Sequence, residues 1–260
     1  MQDLKVALIQ TEQVWENKEA NYKHLEENHF TKLKPGDCDL VILPEMFNTG
    51  FSMKTKELAE TMNGKSIVWL KKWAKHLDCQ IAASLIIVDQ EKFYNRFVVV
   101  SANEIICFYD KRHLFRMANE NTFFEPGQKK VIHHLKGWNI LLQVCYDLRF
   151  PVFSRNKFVN KSKEYEAVIY IANWPEKRSF VWDVLLQARA AENQAYCIGV
   201  NRVGLDGNNY SYSGDSACID PWGSTVYRAT KSTEEVKILT LSSAVLREAE
   251  RSFPVYLDAD

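Results

Sequence analysis

The chain has 260 residues and 33 lysines and arginines against 33 aspartates and glutamates, a formal net charge of zero. That balance lacks the basic footprint of a nucleic-acid-binding protein, and no apolar run approaches the roughly 20 residues that span a bilayer. Its 46% hydrophobic content suits an ordinary globular chain, and with no internal repeat or Pro/Gly-rich linker a single domain over 1–260 is expected.

The chain opens with MQDLKVALIQTEQVWENK, which lacks the basic region, longer apolar stretch and cleavage site of a secretory signal. Its six cysteines (Cys38, Cys79, Cys107, Cys145, Cys197 and Cys218) are widely spaced, with no C-x-x-C pair. Reduced thiols and a cytoplasmic location are therefore expected. Five of the six need be no more than small core residues.

In chain order, β-type runs occur at 4–10, 39–45, 79–88, 95–101, 104–110, 139–145, 167–173, 195–203, 215–220 and 236–241. Several are continuously apolar and bounded by Asp, Asn, Pro or Gly, as strands buried on both faces read. Amphipathic helical stretches lie between them at 17–33, 66–78 and 178–194. The last places Trp182, Leu185, Leu186, Arg189 and Ala190 at helical spacing, which suits one packed face. The alternation predicts a layered α/β fold. Residues 79–110, however, read as three strands in succession, which calls for a mixed sheet or two sheets rather than a purely parallel one.

Three strand ends deliver polar residues. DLVILPEMF ends at Pro44, where ladder pairing should stop, and raises Glu45 to the rim of the sheet. EIICFYDKRHLF delivers Lys111, and NILLQVCYDLRFP delivers Cys145. Open α/β sheets bind ligands outside such carboxyl ends. The chemistry of the set is coherent. An ordinary thiol is only a few per cent thiolate at neutral pH. A neighbouring ammonium favours the thiolate, and a carboxylate accepts the proton as sulfur attacks. The amine and the backbone N–H of Tyr146, following the cysteine, can hold an oxyanion. Spacing alone does not show that the three side chains converge.

The blocks LPEMF (43–47), YDKRHLF (109–115) and VCYDLRFP (144–151), in this order, resemble the nitrilase, or carbon–nitrogen hydrolase, superfamily. The likeness runs from LKVALIQTEQVW near the start to RSFPVYLDAD at the end. EMFNTGFSM (45–53), KRHLFRMANE (111–120), NWPEKRSFVWDVLLQARAAENQAY (173–196) and NRVGLDGN (201–208) are similar to its omega-amidase (2-oxoglutaramate amidase) branch. The resemblance implies a four-layer α-β-β-α sandwich, two mixed β-sheets between helix layers, paired into a homodimer through a helical face. It places the nucleophile on Cys145, the general base on Glu45, the lysine on Lys111 and a second glutamate on Glu120, with Glu125 as rival.

What the resemblance implies chemically is hydrolysis of the terminal amide of 2-oxo dicarboxylic acid monoamides through a cysteine thioester, with no metal or cofactor. Adjacent His133 and His134 fit no metal-ligand spacing, and no nucleotide-binding glycine motif occurs. A bidentate guanidinium is the usual partner for the substrate carboxylate; the candidates are Arg178 and Arg116. Arg149 reads as a scaffold partner of Asp147, and Arg202 as either lining the site or bracing the fold. Trp174, Phe47 and Phe51 are expected to wall the pocket. The competing readings are a nitrilase, an N-carbamoyl amidase, and a thiol redox sensor, which requires a resolving cysteine near Cys145.

Overall fold

The computed structural model describes residues 1–159 and 162–258. Residues 160–161 and 259–260, the latter closing the RSFPVYLDAD segment, lie outside the described residues. Two six-stranded sheets form the centre. The first contains β1 (Leu4–Gln10), β2 (Leu40–Ile42), β3 (Gln80–Asp89), β4 (Lys92–Val100) and β5 (Ile105–Asp110) in spatial order. The second contains β6 (Ile132–Leu135), β7 (Trp138–Val144), β8 (Ala167–Ala172), β9 (Tyr196–Asn201), β10 (Ala217–Ile219) and β11 (Thr225–Arg228), running from β11 at one edge to β6 at the other. A last strand, β12 (Glu235–Leu241), returns to the first sheet and pairs antiparallel with β1. Both sheets are mixed: β1–β2–β3 and β7–β8–β9 are parallel and the flanking pairs antiparallel.

Alternation along each strand separates two apolar surfaces. Leu4, Val6 and Leu8 of β1 face Ile140, Leu142, Ile169 and Ile198 of the other sheet, forming the core between the sheets. Ala7 and Ile9 instead join a second core with Tyr22 and Leu25 of α1 (Lys18–Asn28) and Trp69 and Leu70 of α2 (Lys65–Leu77). On the other side, Val168 and Tyr170 pack against Trp182, Leu186 and Ala190 of α3 (Ser179–Asn193). These are the four layers, helices outside and sheets within. Gly199 on β9 permits the close seating of α3: a Cβ there would lie 2.6 Å from both Leu186 and Trp182. Among the described residues no helix is long and apolar enough to cross a membrane.

The helix expected over 17–33 stops at Asn28. Asn17 caps its start by accepting from the Ala20 N–H, as a good N-cap does. At its end the His29 backbone leaves the helical region, and Phe30 turns to stack on Trp69 and to meet Trp73 at a tilt. The edge strands β6 and β11, and a helix at the end, α4 (Ser243–Ser252), are additions to the expected elements.

Away from the strand ends that hold Glu45 and Cys145, His133 makes polar contacts from one sheet to the other. His133 on β6 is 2% exposed; its Nε2 lies 2.7 Å from Gln80 Oε1 on β3, and its Nδ1 lies 3.7 Å from Cys107 Sγ on β5. The neutral ring satisfies both partners by donating at Nε2 and accepting at Nδ1. Burial, with His134 adding to it, lowers its pKa from 6.5 to about 4. The unfolded chain therefore binds the extra proton first. The resulting stability is complete above about pH 6.5, is lost as pH falls towards 4, and reaches roughly 3 kcal/mol. Urea unfolding from pH 7 to 4 should show a steeper loss of stability for the wild type than for His133→Gln.

Candidate active site

The two sheets bring four polar strand ends to one place. β2 runs out at Ile42, and the chain turns at Pro44 to set Glu45 fully buried, with Met46 at φ +44° and its N–H on Ser84 Oγ. β5 delivers Lys111, β7 delivers Cys145, and β8 delivers Asn173. Glu120 enters on a single helical turn, Glu120–Phe123, within the loop that leaves β5. That loop closes back on the strand at Gly127, whose N–H bonds to the Lys111 carbonyl. A Cβ at Gly127 would fall 1.9 Å from the Asp110 carbonyl oxygen, so no other residue fits there without moving the loop.

At the centre, Lys111 Nζ lies 2.9 Å from Glu45 Oε1 and 2.9 Å from both oxygens of Glu120, and all three side chains are completely buried. Both carboxylates also accept from fixed donors. Asn95 Nδ2 donates to Glu45 Oε1 at 2.7 Å, the Asn173 N–H donates to Glu45 Oε2 at 2.8 Å, and the Phe115 N–H donates to Glu120 Oε2 at 2.6 Å. Burial works against the ammonium, but the two carboxylates hold the Lys111 pKa above its usual range. Burial, and to a lesser degree Glu45, raises that of Glu120 despite the ammonium beside it.

Cys145 begins a 3-10 turn, Cys145–Arg149, at φ +46°. A non-glycine residue in the left-handed region is strained, and such strain concentrates at functional sites. The turn is braced by Asp147, which accepts from the Val144 N–H, the Tyr109 hydroxyl and the His113 N–H, and meets His113 Nδ1 at 2.7 Å. The thiol points at the Asn173 carbonyl, 3.8 Å away. Thus Asn173 touches the thiol through its C=O and Glu45 through its N–H. Tyr146 follows in the first turn, whose N–H groups have no acceptor within the helix.

Sequence reasoning expected the lysine to favour a thiolate. Instead, burial first, and then Glu45 and Glu120, push the Cys145 thiol well above its ordinary pKa, outweighing Lys111. Two carboxylates against one ammonium make this negative surroundings, so the resting sulfur is protonated. Attack therefore requires a base, and Glu45 is the carboxylate that acts most strongly on the thiol.

Lys111, Cys145 and Tyr146 open onto a cavity of about 830 Å³, which Phe51, Trp174 and Arg178 also line. The Phe51 ring lies 5.0 Å from Lys111 Nζ. Three expectations need correction. Phe47 is not a wall residue; it is buried in the core under α2, stacked on Trp69. Arg116 is exposed on a short turn and outside the cavity lining. Arg149 does not pair with Asp147, whose oxygens are taken by Tyr109, His113 and Val144; its guanidinium lies over the Trp174 ring and faces the cavity. Arg202 is buried, donating to the carbonyls of Val203, Gln13 and Leu205, and so braces the fold. Glu125 is exposed and 3.8 Å from Lys92, leaving Glu120 as the second site glutamate by position. Among the described residues no hydrogen bond joins Cys145 to another cysteine, whereas Cys38 and Cys79 are neighbours elsewhere.

Asn95 and Asn173 were missed. Asn173 carries the signal used for the other three, a polar residue ending an apolar strand. Asn95 interrupts the apolar strand KFYNRFVVV. Because the ammonium is fully enclosed, Lys111→Met should leave two carboxylates facing each other and lower unfolding stability by about 3–5 kcal/mol, measurable by urea denaturation.

A carbon-nitrogen hydrolase profile matches residues 5–251. The chain is 41% identical over its whole length to Omega-amidase YafV of Escherichia coli, covering 98% of that protein. It is 30% identical to the 2-oxoglutaramate amidase of Bacillus subtilis, over 88% of each chain. Its fold superposes with a TM-score of 0.96 on a carbon–nitrogen hydrolase superfamily protein of Xanthomonas campestris, solved with an arsenic adduct in the active site; the two are 38% identical over 100% and 98% of their lengths. With matching family profile, full-length relatives and a shared four-layer fold, this chain belongs to the carbon–nitrogen hydrolase family.

Proposed function

We propose that the chain is an omega-amidase, a cytoplasmic homodimer with one domain per chain. It hydrolyses the terminal amide of 2-oxoglutaramate or 2-oxosuccinamate to the 2-oxo acid and ammonia. The observation that carries the reading is the meeting of a thiol, a carboxylate and a buried ammonium at the floor of a cavity that also bears two guanidinium groups. Relatives named for this activity support the choice of substrate. For the dimer, the outer face of α3 supports the pairing, since Phe180 and Val184, four residues apart, stand exposed there.

In this mechanism Glu45 takes the thiol proton as Cys145 Sγ attacks the amide carbon. The oxyanion lies between the Tyr146 N–H and Lys111. All three Lys111 donors are engaged at rest, so one must leave Glu120; its Oε2 keeps the Phe115 N–H and tolerates the loss. Glu45 then hands the proton to the departing nitrogen, which leaves as ammonia. A water, deprotonated by Glu45, cleaves the thioester, and the proton returns to the sulfur. Glu120 orients Lys111 throughout.

The 2-oxo carboxylate is read by Arg178 and Arg149. Both line the cavity, and among the described residues neither forms an ion pair with a carboxylate. Their rings, Phe115 under Arg178 at 5.4 Å and Trp174 under Arg149 at 5.0 Å, fix orientation without neutralising charge. Charge-assisted hydrogen bonds of this kind contribute about 1.5–3 kcal/mol each.

An ammonia-release assay tests the reading, with 2-oxoglutaramate and 2-oxosuccinamate against a nitrile and an N-carbamoyl amino acid. The amides should be turned over and the other two should not. Cys145→Ala should abolish release, and Lys111→Ala should lose at least about 10²–10³ in rate. Turnover of the nitrile or the carbamoyl compound in place of the amides would move the assignment elsewhere in the family. Arg178→Ala and Arg149→Ala should raise KM by about ten- to a hundredfold, with a smaller effect on kcat. An unchanged KM in both variants would remove the carboxylate assignment.

A further inference from the structure

Outside the cavity, one cluster has ligand chemistry that the amidase reaction does not use. His24 on α1, His29 just beyond its end, and Glu234 just before β12 each present a nitrogen or oxygen within 4.8 Å of the other two. His24 Nε2 lies 2.5 Å and His29 Nε2 3.4 Å from Glu234 Oε1, and the rings meet edge to face at 5.4 Å. Glu234 Oε1 also accepts from the Thr11 hydroxyl at 3.0 Å and from the Glu12 N–H at 2.7 Å. His24 Nδ1 faces Asn28 Nδ2 at 3.1 Å, which turns Nε2 towards the carboxylate. Burial opposes ionisation of Glu234, but His29, His24 and the Glu12 N–H hold its carboxyl well below the usual range.

His29 is the observation that points to a ligand. Its side chain is completely buried, yet neither ring nitrogen makes a hydrogen bond among the described residues. Buried polar groups are normally satisfied, and an orphaned imidazole calls for an explanation. Its Nδ1 has no partner among the described residues, and its Nε2 meets Glu234 Oε1 at 3.4 Å as an ion-pair contact without hydrogen-bond geometry. That separation suits two ligands on a common ion: zinc–nitrogen and zinc–oxygen bonds of about 2.0–2.2 Å place tetrahedral neighbours about 3.4 Å apart.

We propose that His24, His29 and Glu234 form a binding site for one zinc-like divalent cation. Two imidazoles and a carboxylate are an established three-ligand set for zinc, leaving water as the fourth ligand. The ion would take the place of the proton between His24 and Glu234, and that pair would open from hydrogen-bond length to ligand spacing. It would join three segments: the end of α1, residues 11–12 beyond β1, and the entry to the edge strand β12. Since neither the thiol nor its partners belong to the cluster, the ion affects stability and not the chemical step.

The test uses the full chain carrying Cys145→Ala, so that the cavity thiol cannot bind metal, stripped with chelator and titrated calorimetrically with zinc chloride near neutral pH. One equivalent should bind and the thermal midpoint should rise. His24→Asn and Glu234→Gln, two partly exposed positions, should each weaken binding by about a hundredfold or more, since even outer-shell changes cost ten- to a hundredfold, and should abolish the thermal shift. Circular dichroism shows whether each variant is folded. Cobalt(II) should give a tetrahedral absorption spectrum that the same two variants lose. Absence of one-equivalent binding, or affinity unchanged in both variants as binding at Cys38 and Cys79 would give, overturns the proposal.

Discussion

The enclosed ammonium of Lys111, held between Glu45 and Glu120, is the constraint on which the rest of the site depends. A charge taken fully out of water is tolerated only when paired and hydrogen-bonded on every side. Here both carboxylates also accept from donors other than Lys111, and those donors come from distant parts of the chain: β4 through Asn95, the end of β8 through Asn173, and the Lys111–Gly127 loop through Phe115. The triad therefore pins both sheets and one loop together at a single point. Burial, reinforced by the imbalance of two negative charges against one positive, also raises the pKa of the adjacent thiol.

A third carboxylate fixes the sulfur. Asp147 gathers the Cys145 turn, Tyr109 on β5 and the His113 segment beyond Lys111, so the elements carrying the thiol and the ammonium cannot move independently. The strained φ at Cys145 is held by this bracing. Sheet pairing does the coarse positioning, since the carboxyl ends of β2, β5, β7 and β8 converge at one end of the sandwich. Side-chain hydrogen bonds do the rest.

The architecture was legible where burial is strong. Parallel strands buried on both faces appear as unbroken Val/Ile runs, and β7 and β8 were found within a residue of their ends. The edge strands β6 and β11 are short and partly exposed, so IHHL and TVYR carried no comparable signal. Glu45, Lys111 and Cys145 could be picked out because each ends an apolar run, although only tertiary structure shows that they meet. Residues that depend on directions rather than types were misread: Phe47 turns into the helical core, Arg116 into solvent, and Arg149 away from Asp147 towards Trp174. The direction of the thiol pKa was likewise invisible, because it depends on the second carboxylate and on burial, neither of which short motifs encode.

The account turns on a thiol that stays neutral until Glu45 removes its proton. Thiolates absorb in the ultraviolet where thiols do not, so the absorbance of the wild type minus that of Cys145→Ala, followed across pH, reads the state of this sulfur directly. The prediction is no thiolate signal from Cys145 at neutral pH and none through the ordinary thiol pKa of about 8.5, in an enzyme that is active at neutral pH. A thiolate band already present at pH 7 would contradict it and would transfer the activating role from Glu45 to Lys111.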